Sequence, residues 1–88
     1  MNNKVLVKLI VLEMDESFDV MIPVNEVVWK VKEMMVKSIN SLLGINMAIN
    51  SSYVLINKTT ARIYKNNEII YNTDIRNATE LILVNVKM

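Results

Sequence analysis

Hydrophobic residues recur with a period of two in several short segments of the chain and with a helical period in one long segment. Val5 to Leu12 is aliphatic except for Lys8, which predicts a central strand. Ser17 to Ile22 alternates apolar and polar residues, and Pro23 ends this second strand because proline has no N–H for a ladder. The acidic residues 13–16 between the two segments predict a hairpin turn.

The long segment has the period and the caps of one amphipathic helix. We predict a helix from Glu26 to Leu43, with Asn25 as its N-cap and Gly44, the only glycine, as its left-handed C-terminal cap. At 100° per residue, one face collects the apolar residues Val27, Val28, Val31, Met34, Met35, Ile39 and Leu42. This face is expected to cover the sheet.

The rest of the chain predicts a loop and a returning set of strands. Ile45 to Ser52 is the loop, Ile75 is expected to be buried, and strands are predicted at 53–56, 61–64 and 80–86, with a short apolar trio at 69–71. Residues 1–88 are thus expected to form one α+β domain, in which a mixed four- or five-stranded sheet packs on one helix in the order ββαββ(β). The common small architecture with this order is the β-grasp, in which the first and last strands lie side by side in the centre.

Composition argues against several classes of function. Cysteine and histidine are both absent, which removes the ordinary zinc ligands, thiol chemistry and the commonest general base. Ten basic and nine acidic residues leave a formal charge of +1, without the strong basic footprint of nucleic-acid binders. The carboxylates Glu13, Asp15, Glu16 and Asp19 cluster around one turn, and a solvated turn is favoured over a cation site or an acid–base pair. We expect a non-catalytic protein with no cofactor and no metal.

The N-terminal strand is not expected to be a targeting or membrane segment. Lys8 interrupts its apolar run, and acidic residues 13–16 follow where a signal peptide would carry small residues. No apolar run reaches the roughly 18–20 residues that a membrane span needs. A cytoplasmic protein is therefore expected.

The face of the sheet away from the helix is the first candidate binding surface. Strand alternation places Val5, Val7, Leu9 and Val11, with Leu81 and Leu83, toward the helix. The same alternation turns outward the apolar residues Leu6, Ile10, Ile82 and Val84. A water-facing sheet surface is usually polar, so this patch predicts a partner or a second copy of the chain. An error of one residue in the alternation would exchange the two faces.

A stripe on the flank of the helix is the second candidate. Trp29, Val36 and Leu43 follow one another at seven-residue intervals, away from the main apolar face. Two interpretations remain open: the loop from Ile45 to Ile49 covers the stripe, or the stripe is exposed and binds a partner. Lys30, Lys32 and Lys37 are interpreted as a solvated helix surface, since Glu26 and Glu33 alternate with them.

Three segments resemble ubiquitin-like proteins. Residues 17–25 resemble the second strand and helix entry of ubiquitin, and residues 73–84 resemble the ubiquitin-like ending. Residues 54–58 resemble the third strand and turn of the YukD/EsaB family, the small ubiquitin-like proteins of bacterial type VII (WXG100, ESX-like) secretion systems. The likeness extends over roughly residues 4–86.

The resemblance implies a ubiquitin-like β-grasp that binds proteins and is not conjugated to targets. The ending, residues 84–88, has no Gly-Gly, which agrees with a chain that is not attached through its C-terminus. One departure is the turn before the last strand, where the family often carries Gly-Asp. Here Asn77, Ala78 and Thr79 stand in that place, and Asn77 is expected to take the positive φ.

Three functions follow as hypotheses. The leading one is a cytoplasmic accessory or regulatory component of a type VII-like secretion system, which binds secretion-machinery proteins. A second is a generic ubiquitin-like adaptor or homodimer with no link to secretion. A third is a weak nucleic-acid binder that uses the helix lysines together with Tyr53, Tyr64 or Tyr71 as stacking platforms.

Overall fold

Four strands and one helix build a two-layer α+β domain. The structure, a computed structural model, describes residues 3–48 and 52–86. Its elements are β1 (Lys4–Val11), β2 (Glu16–Pro23), α1 (Val28–Leu43), β3 (Tyr53–Asn57) and β4 (Glu80–Asn85), with short 3-10 turns at Leu12–Met14 and Ile70–Asn72. The sheet order is β2-β1-β4-β3. The order ββαββ and the central position of the first and last strands, both predicted, are confirmed.

The sheet is mixed because β1 has two different neighbours. It pairs antiparallel with β2 through the tight connection at residues 12–15, and parallel with β4. β3 pairs antiparallel with the other side of β4. Asp15 takes a left-handed conformation, with φ 51°, at the end of the hairpin turn. The acidic residues 13–16 therefore lie in and beside the turn that their sequence predicts.

The predicted alternation of the central strands is also confirmed. Val7, Leu9 and Val11 on β1 are buried in the core, as are Leu81 and Leu83 on β4. Val5 is partly buried against the same core. The even-numbered residues of these two strands therefore face away from α1.

The helix begins two residues later than predicted. Its N-cap is Val27, with an extended backbone, and not Asn25. Val27 forms a β-bridge with Ile69, and the N–H of Val28 donates to the carbonyl of Glu68 at 2.8 Å. These long-range bonds hold the start of the segment extended, which overrides the local N-cap signal. The predicted cap at Gly44 is confirmed, with φ 66°.

The buried face of α1 differs from the predicted one by a rotation of about 60° around the helix axis. Lys32 and Val36 are buried, whereas Met34 is 41% exposed. Leu42, in the last turn of the helix, is 70% exposed. The buried positions of the helix are Val28, Val31, Lys32, Met35, Val36 and Ile39. A lysine on the buried side is the feature that the apolar pattern could not anticipate.

The short strand predicted at 61–64, between β3 and β4, is not formed in the structure. Segment 61–64 contributes one isolated bridge, between Ile56 and Ile63, and segment 69–71 contributes another at Ile69 before it turns into a 3-10 helix. Ala61 has a φ of 64°, and this left-handed turn redirects the chain after β3. Ile75 is 1% exposed, which confirms its predicted burial.

In the turn before β4, the left-handed residue is Ala78, with φ 72°, so the assignment of positive φ to Asn77 is wrong. The Asn77 side chain instead accepts a hydrogen bond from the backbone of β1. In the described part of the chain, no helix has the length and apolarity that a bilayer crossing requires.

Candidate protein-interaction surface

A row of isoleucines crosses the face of the sheet that α1 leaves uncovered. Ile10 on β1 is paired with Ile82 on β4, and Ile82 is paired with Ile56 on β3. Ile56 forms the isolated bridge with Ile63, which extends the row beyond the edge of β3. Residues that pair directly across strands point to the same face. We call these four residues the isoleucine row.

The isoleucine row is accessible to solvent. Ile63 is 61% exposed, and the other three members are partly exposed. Val84 and Val54 pair with each other on the same face, beside the pair of Ile82 and Ile56. Both valines are also partly exposed. The result is a continuous aliphatic surface on a sheet face that would ordinarily be polar.

A row of charged residues borders this aliphatic surface. Lys8 on β1 lies between Asp19 on β2 and Glu80 on β4. Glu80 also approaches Lys58, with 3.9 Å between its Oε2 and the lysine Nζ. The charges alternate in sign along the row, so they stabilise one another and give the apolar surface a polar rim on one side.

The predicted outward residues are therefore brought together only in part. Ile10, Ile82 and Val84 belong to one surface. Leu6, although 45% exposed, is separated from them by Lys8 and its neighbours, and is instead paired with Met21 of β2, which is 51% exposed. The sequence interpretation missed Ile56 and Ile63. The alternation of β3 carried a signal for Ile56, whereas Ile63 joins the row through a bridge formed by a loop.

The proposed stripe on the helix flank is not continuous. Val36 is 1% exposed, so its prediction as part of an exposed stripe is wrong. The cause is the rotation of the buried face, which brings Val36 into the core. Trp29 and Leu43 are 48% and 41% exposed and are separated by this buried position.

The loop after α1 is fixed by the side chain of Asn40. Its Oδ1 accepts from the N–H of Met47 at 2.7 Å, and its Nδ2 donates to the carbonyl of the same residue at 3.0 Å. Ile45 and Met47 pack partly buried against the core. The predicted covering loop ran to Ile49, which lies outside the described residues.

A buried polar cluster joins the loop after β3 to the segment before β4. Tyr64 donates its hydroxyl hydrogen to Asp74 at 2.5 Å and accepts from Asn57 Nδ2 at 3.1 Å. Burial, followed by the hydrogen bond to Asp74, raises the pKa of Tyr64 to about 12. Arg62 binds Glu68 at 2.6 Å and lies over the Tyr64 ring. Among the described residues, no buried side-chain nitrogen or oxygen lacks a hydrogen-bond partner, which indicates a structural role for the cluster.

Lys32 is the buried charge of the helix. Its Nζ donates to the carbonyl of Tyr53 at 2.6 Å, and burial lowers its pKa. The carboxylates of the hairpin turn are exposed or partly used, since Glu13 Oε1 accepts from the N–H of Asn85 at 2.8 Å. Within residues 3–48 and 52–86, no three potential metal-ligating side chains come together.

The tyrosines do not form a stacking platform for nucleic acid. Tyr53 and Tyr64 are each 3% exposed, and only Tyr71, at 71%, presents its ring to solvent. Base stacking requires an accessible ring face. The hypothesis that all three could serve as platforms is therefore wrong for two of them.

Comparison with solved structures identifies the architecture. A ubiquitin-like domain of an Arabidopsis thaliana protein superposes with a TM-score of 0.71 at 14% identity, over 99% of this chain and 82% of that one. The corresponding domain of Plasmodium falciparum Dsk2 gives 0.67 at 17%, over 92% and 96%. The chain has the ubiquitin-like β-grasp fold. On this fold, the exposed aliphatic surface lies on the sheet face that α1 leaves uncovered.

A similar fold occurs within one chain of an ESX-5 inner membrane complex. One chain of an ESX-5 inner membrane complex matches with a TM-score of 0.72 at 17% identity, over 93% of this chain but only 21% of that one. No family model and no curated protein matches the sequence. At these identities the likeness establishes the fold alone.

Proposed function

We propose that this chain is a non-catalytic protein-interaction module that binds its partner through the isoleucine row. The observation that carries the proposal is the uninterrupted line from Ile10 through Ile82 and Ile56 to Ile63 on the uncovered sheet face. Its aliphatic side chains contribute hydrophobic free energy of about 25 cal/mol per Å² when a partner covers them. The charged row beside it supplies a polar rim, as interfaces commonly have.

We propose further that the module is a cytoplasmic accessory or regulatory component of a bacterial type VII-like secretion system. Two observations support this role: the resemblance of residues 54–58 to YukD/EsaB proteins, and the ubiquitin-like fold found in one chain of an ESX-5 inner membrane complex. The partner would then be the cytoplasmic part of a membrane component of the secretion machinery. A generic ubiquitin-like adaptor or homodimer is the alternative that uses the same surface.

A charge placed in the middle of the isoleucine row tests the binding surface. The Ile82→Lys substitution changes a partly exposed position, so its free energy of unfolding should stay close to that of the wild type. Binding of the purified cytoplasmic domains of the secretion-machinery proteins from the same genome would be measured by calorimetry. We expect I82K to abolish binding, because a lysine ammonium would have to be desolvated in an aliphatic interface.

The matched control is Leu43→Lys, an equivalent change on the helix flank. It should leave binding unchanged if the sheet face is used. Loss of binding in L43K and not in I82K would contradict the sheet-face proposal. A wild-type protein that dimerises in sedimentation experiments, with I82K monomeric, would instead identify the homodimer alternative. Binding to none of the secretion proteins would reject the secretion role.

A further inference from the structure

The two edges of the sheet differ in whether their backbone groups are used. At the outer edge of β3, the carbonyl of Tyr53 accepts from Lys32 and the carbonyl of Leu55 accepts from the N–H of Tyr64 at 3.1 Å. The N–H of Asn57 donates to the carbonyl of Arg62 at 2.8 Å. This edge is therefore closed along its length by a lysine side chain and by the following loop.

The outer edge of β2 is open. The N–H of Val24 donates to the carbonyl of Asn3, next to β1. In an antiparallel pair every second residue bonds to the neighbouring strand, so the even-numbered residues of β2 bond to β1. The N–H and C=O groups of Ser17, Asp19 and Met21 therefore point outward. Within the described chain, no backbone group of residues 17–21 bonds to any element other than β1. Pro23 is also an outward-facing residue of β2, so its missing N–H removes no hydrogen bond to β1.

An apolar groove runs beside this open edge. Phe18 and Val20 point from β2 toward the helix, and Ile39 and Leu42 line the opposite wall. The groove has a volume of about 240 Å³. Leu42, in the last turn of α1, is 70% exposed. A strand added to β2 would place every second side chain in this groove.

A second copy of this chain is a poor occupant. Two β2 strands related by a two-fold axis form the most hydrogen bonds when Asp19 pairs with Asp19 of the other copy, which opposes like charges. Shifting the register by one step relieves this repulsion but loses a bonded pair or brings Pro23 into the ladder. A charged residue in mid-edge is a common means by which proteins prevent such self-pairing.

The charged residues at the edge of β2 also indicate which kind of segment would bind there. Asp19 is exposed, and Lys8, its neighbour on β1, lies between it and Glu80, so the outer side of Asp19 has no basic partner among the described residues. Glu16 adds a second exposed carboxylate at the start of the strand. A basic side chain on an added strand would lie opposite Asp19 and would extend the row of alternating charges formed by Asp19, Lys8 and Glu80.

We propose that the open edge of β2 binds an extended segment of another protein by strand addition. The segment has aliphatic residues at alternate positions, which occupy the groove, and a lysine or arginine on its other face, opposite Asp19. This site goes beyond the isoleucine row, since it uses a strand edge and the helix side of the sheet. One chain could hold partners at both places.

The test uses a short capped peptide in which valine and isoleucine alternate with threonine and one central lysine. Binding to the isotopically labelled wild-type protein is followed through the backbone amide resonances in NMR spectra. We expect the largest shifts, and new protection from hydrogen exchange, at Ser17, Asp19 and Met21. A peptide with glutamate in place of lysine should bind about fivefold more weakly, because attraction at Asp19 becomes repulsion. A peptide N-methylated at the bonding positions should not bind.

Two pairs of variants locate the contacts. Asp19→Asn should remove the preference for lysine over glutamate, whereas Asp15→Asn, the same charge change in the hairpin turn, should keep it. Leu42→Ser should weaken binding of the lysine peptide, whereas Leu43→Ser should not. All four positions are exposed, so the folded state should persist.

No resonance shift at millimolar lysine peptide, or shifts confined to the isoleucine row, would overturn the proposal. Concentration-dependent shifts of the same edge amides without any peptide would show that a second copy binds there, which would also overturn it. Binding at the edge that is insensitive to I82K would separate this site from the proposed function.

Discussion

The side-chain oxygen of Asn77 accepts a hydrogen bond from the backbone N–H of Leu6 at 2.9 Å, although 71 positions separate the two residues. The N–H of Ala78 donates to the carbonyl of Leu6 at 2.8 Å, so both backbone groups of this β1 residue are bonded by the turn before β4. Regular pairing of β1 with β4 begins only at Lys8 and Glu80. The asparagine thus extends the ladder beyond the end of its own strand.

Replacing this asparagine should weaken the central pair of strands. We expect Asn77→Ala to reduce the free energy of unfolding by about 1 kcal/mol, since one hydrogen bond is lost at a partly solvated site. Urea denaturation measures the change. Asn67→Ala removes an exposed asparagine from another turn and should change stability little. Equal effects in the two variants would contradict a specific role for Asn77.

The left-handed residues predict two substitutions of opposite sign. Gly44→Ala should destabilise the protein by about 1 kcal/mol, because φ 66° is unfavourable for alanine while the added Cβ meets no atom within 4 Å. Ala78→Gly should stabilise it by a smaller amount, because glycine adopts φ 72° without strain but loses more entropy on folding. Thermal unfolding of both variants beside the wild type provides the measurement. A destabilised A78G would show that its turn is not strained.

Tyr64 should make stability depend on pH in alkaline solution. Its pKa in the folded protein is raised to about 12 from an ordinary value of 10.0, so the folded state retains the phenol proton that the unfolded state releases. The stabilisation is complete below pH 10 and is lost as the pH rises toward 12. Tyr64→Phe should remove this dependence.

The same variant should also lower stability at neutral pH by about 1–3 kcal/mol, because Asn57 loses the acceptor of a buried hydrogen bond. Tyr71→Phe, at an exposed position, is the control and should behave as the wild type does. A Y64F protein with wild-type stability at neutral pH and an unchanged alkaline profile would argue against the polar cluster.

Lys32 should have the opposite dependence on pH. Burial lowers its pKa from 10.5, so the unfolded state binds more protons than the folded state between the lowered value and 10.5. Stability from this group therefore rises with pH through that window. The difference in unfolding free energy between the wild type and Lys32→Met should move in favour of the wild type as the pH is raised. Lys30→Met, at an exposed position of the same helix, should show no such trend.

Paired truncations can test which apolar positions of α1 are buried. We expect Val36→Ala to cost about 1.5–3 kcal/mol, since a buried side chain is shortened. Leu42→Ala should cost less than about 0.5 kcal/mol because that side chain is mostly exposed. The apolar pattern of the sequence predicts the reverse order. Chemical denaturation of the two variants decides between them.

The sequence predicted the architecture because its strongest signals are local and repeated. Alternation in β1 and β4 assigned the two sheet faces correctly, and Gly44 marked the end of the helix. The start of the helix was misplaced because Val27 is held by Ile69, a contact that no local pattern contains. The binding face was predicted only in part for the same reason, since Ile63 joins the row through a bridge from a loop.

The helix face shows a different limit. Lys32 was interpreted as solvated because its side chain is charged, yet its aliphatic stem is buried and its ammonium bonds to the carbonyl of Tyr53. Because Lys32 points inward, Val36 lies inward beside it, and Met34, on the opposite edge of the predicted face, turns toward solvent. One misassigned residue therefore changes the predicted surroundings of two others.

The parallel pairing of β1 with β4 has a consequence for synthesis of the chain on the ribosome. β1 can form a hairpin with β2 once both have emerged, but its other side has no partner until residues 80–83 have been translated. Until then the nascent domain lacks the two leucines of β4 that complete its interior, and its stability should be correspondingly low. Folding is expected to become cooperative only after β4 has emerged.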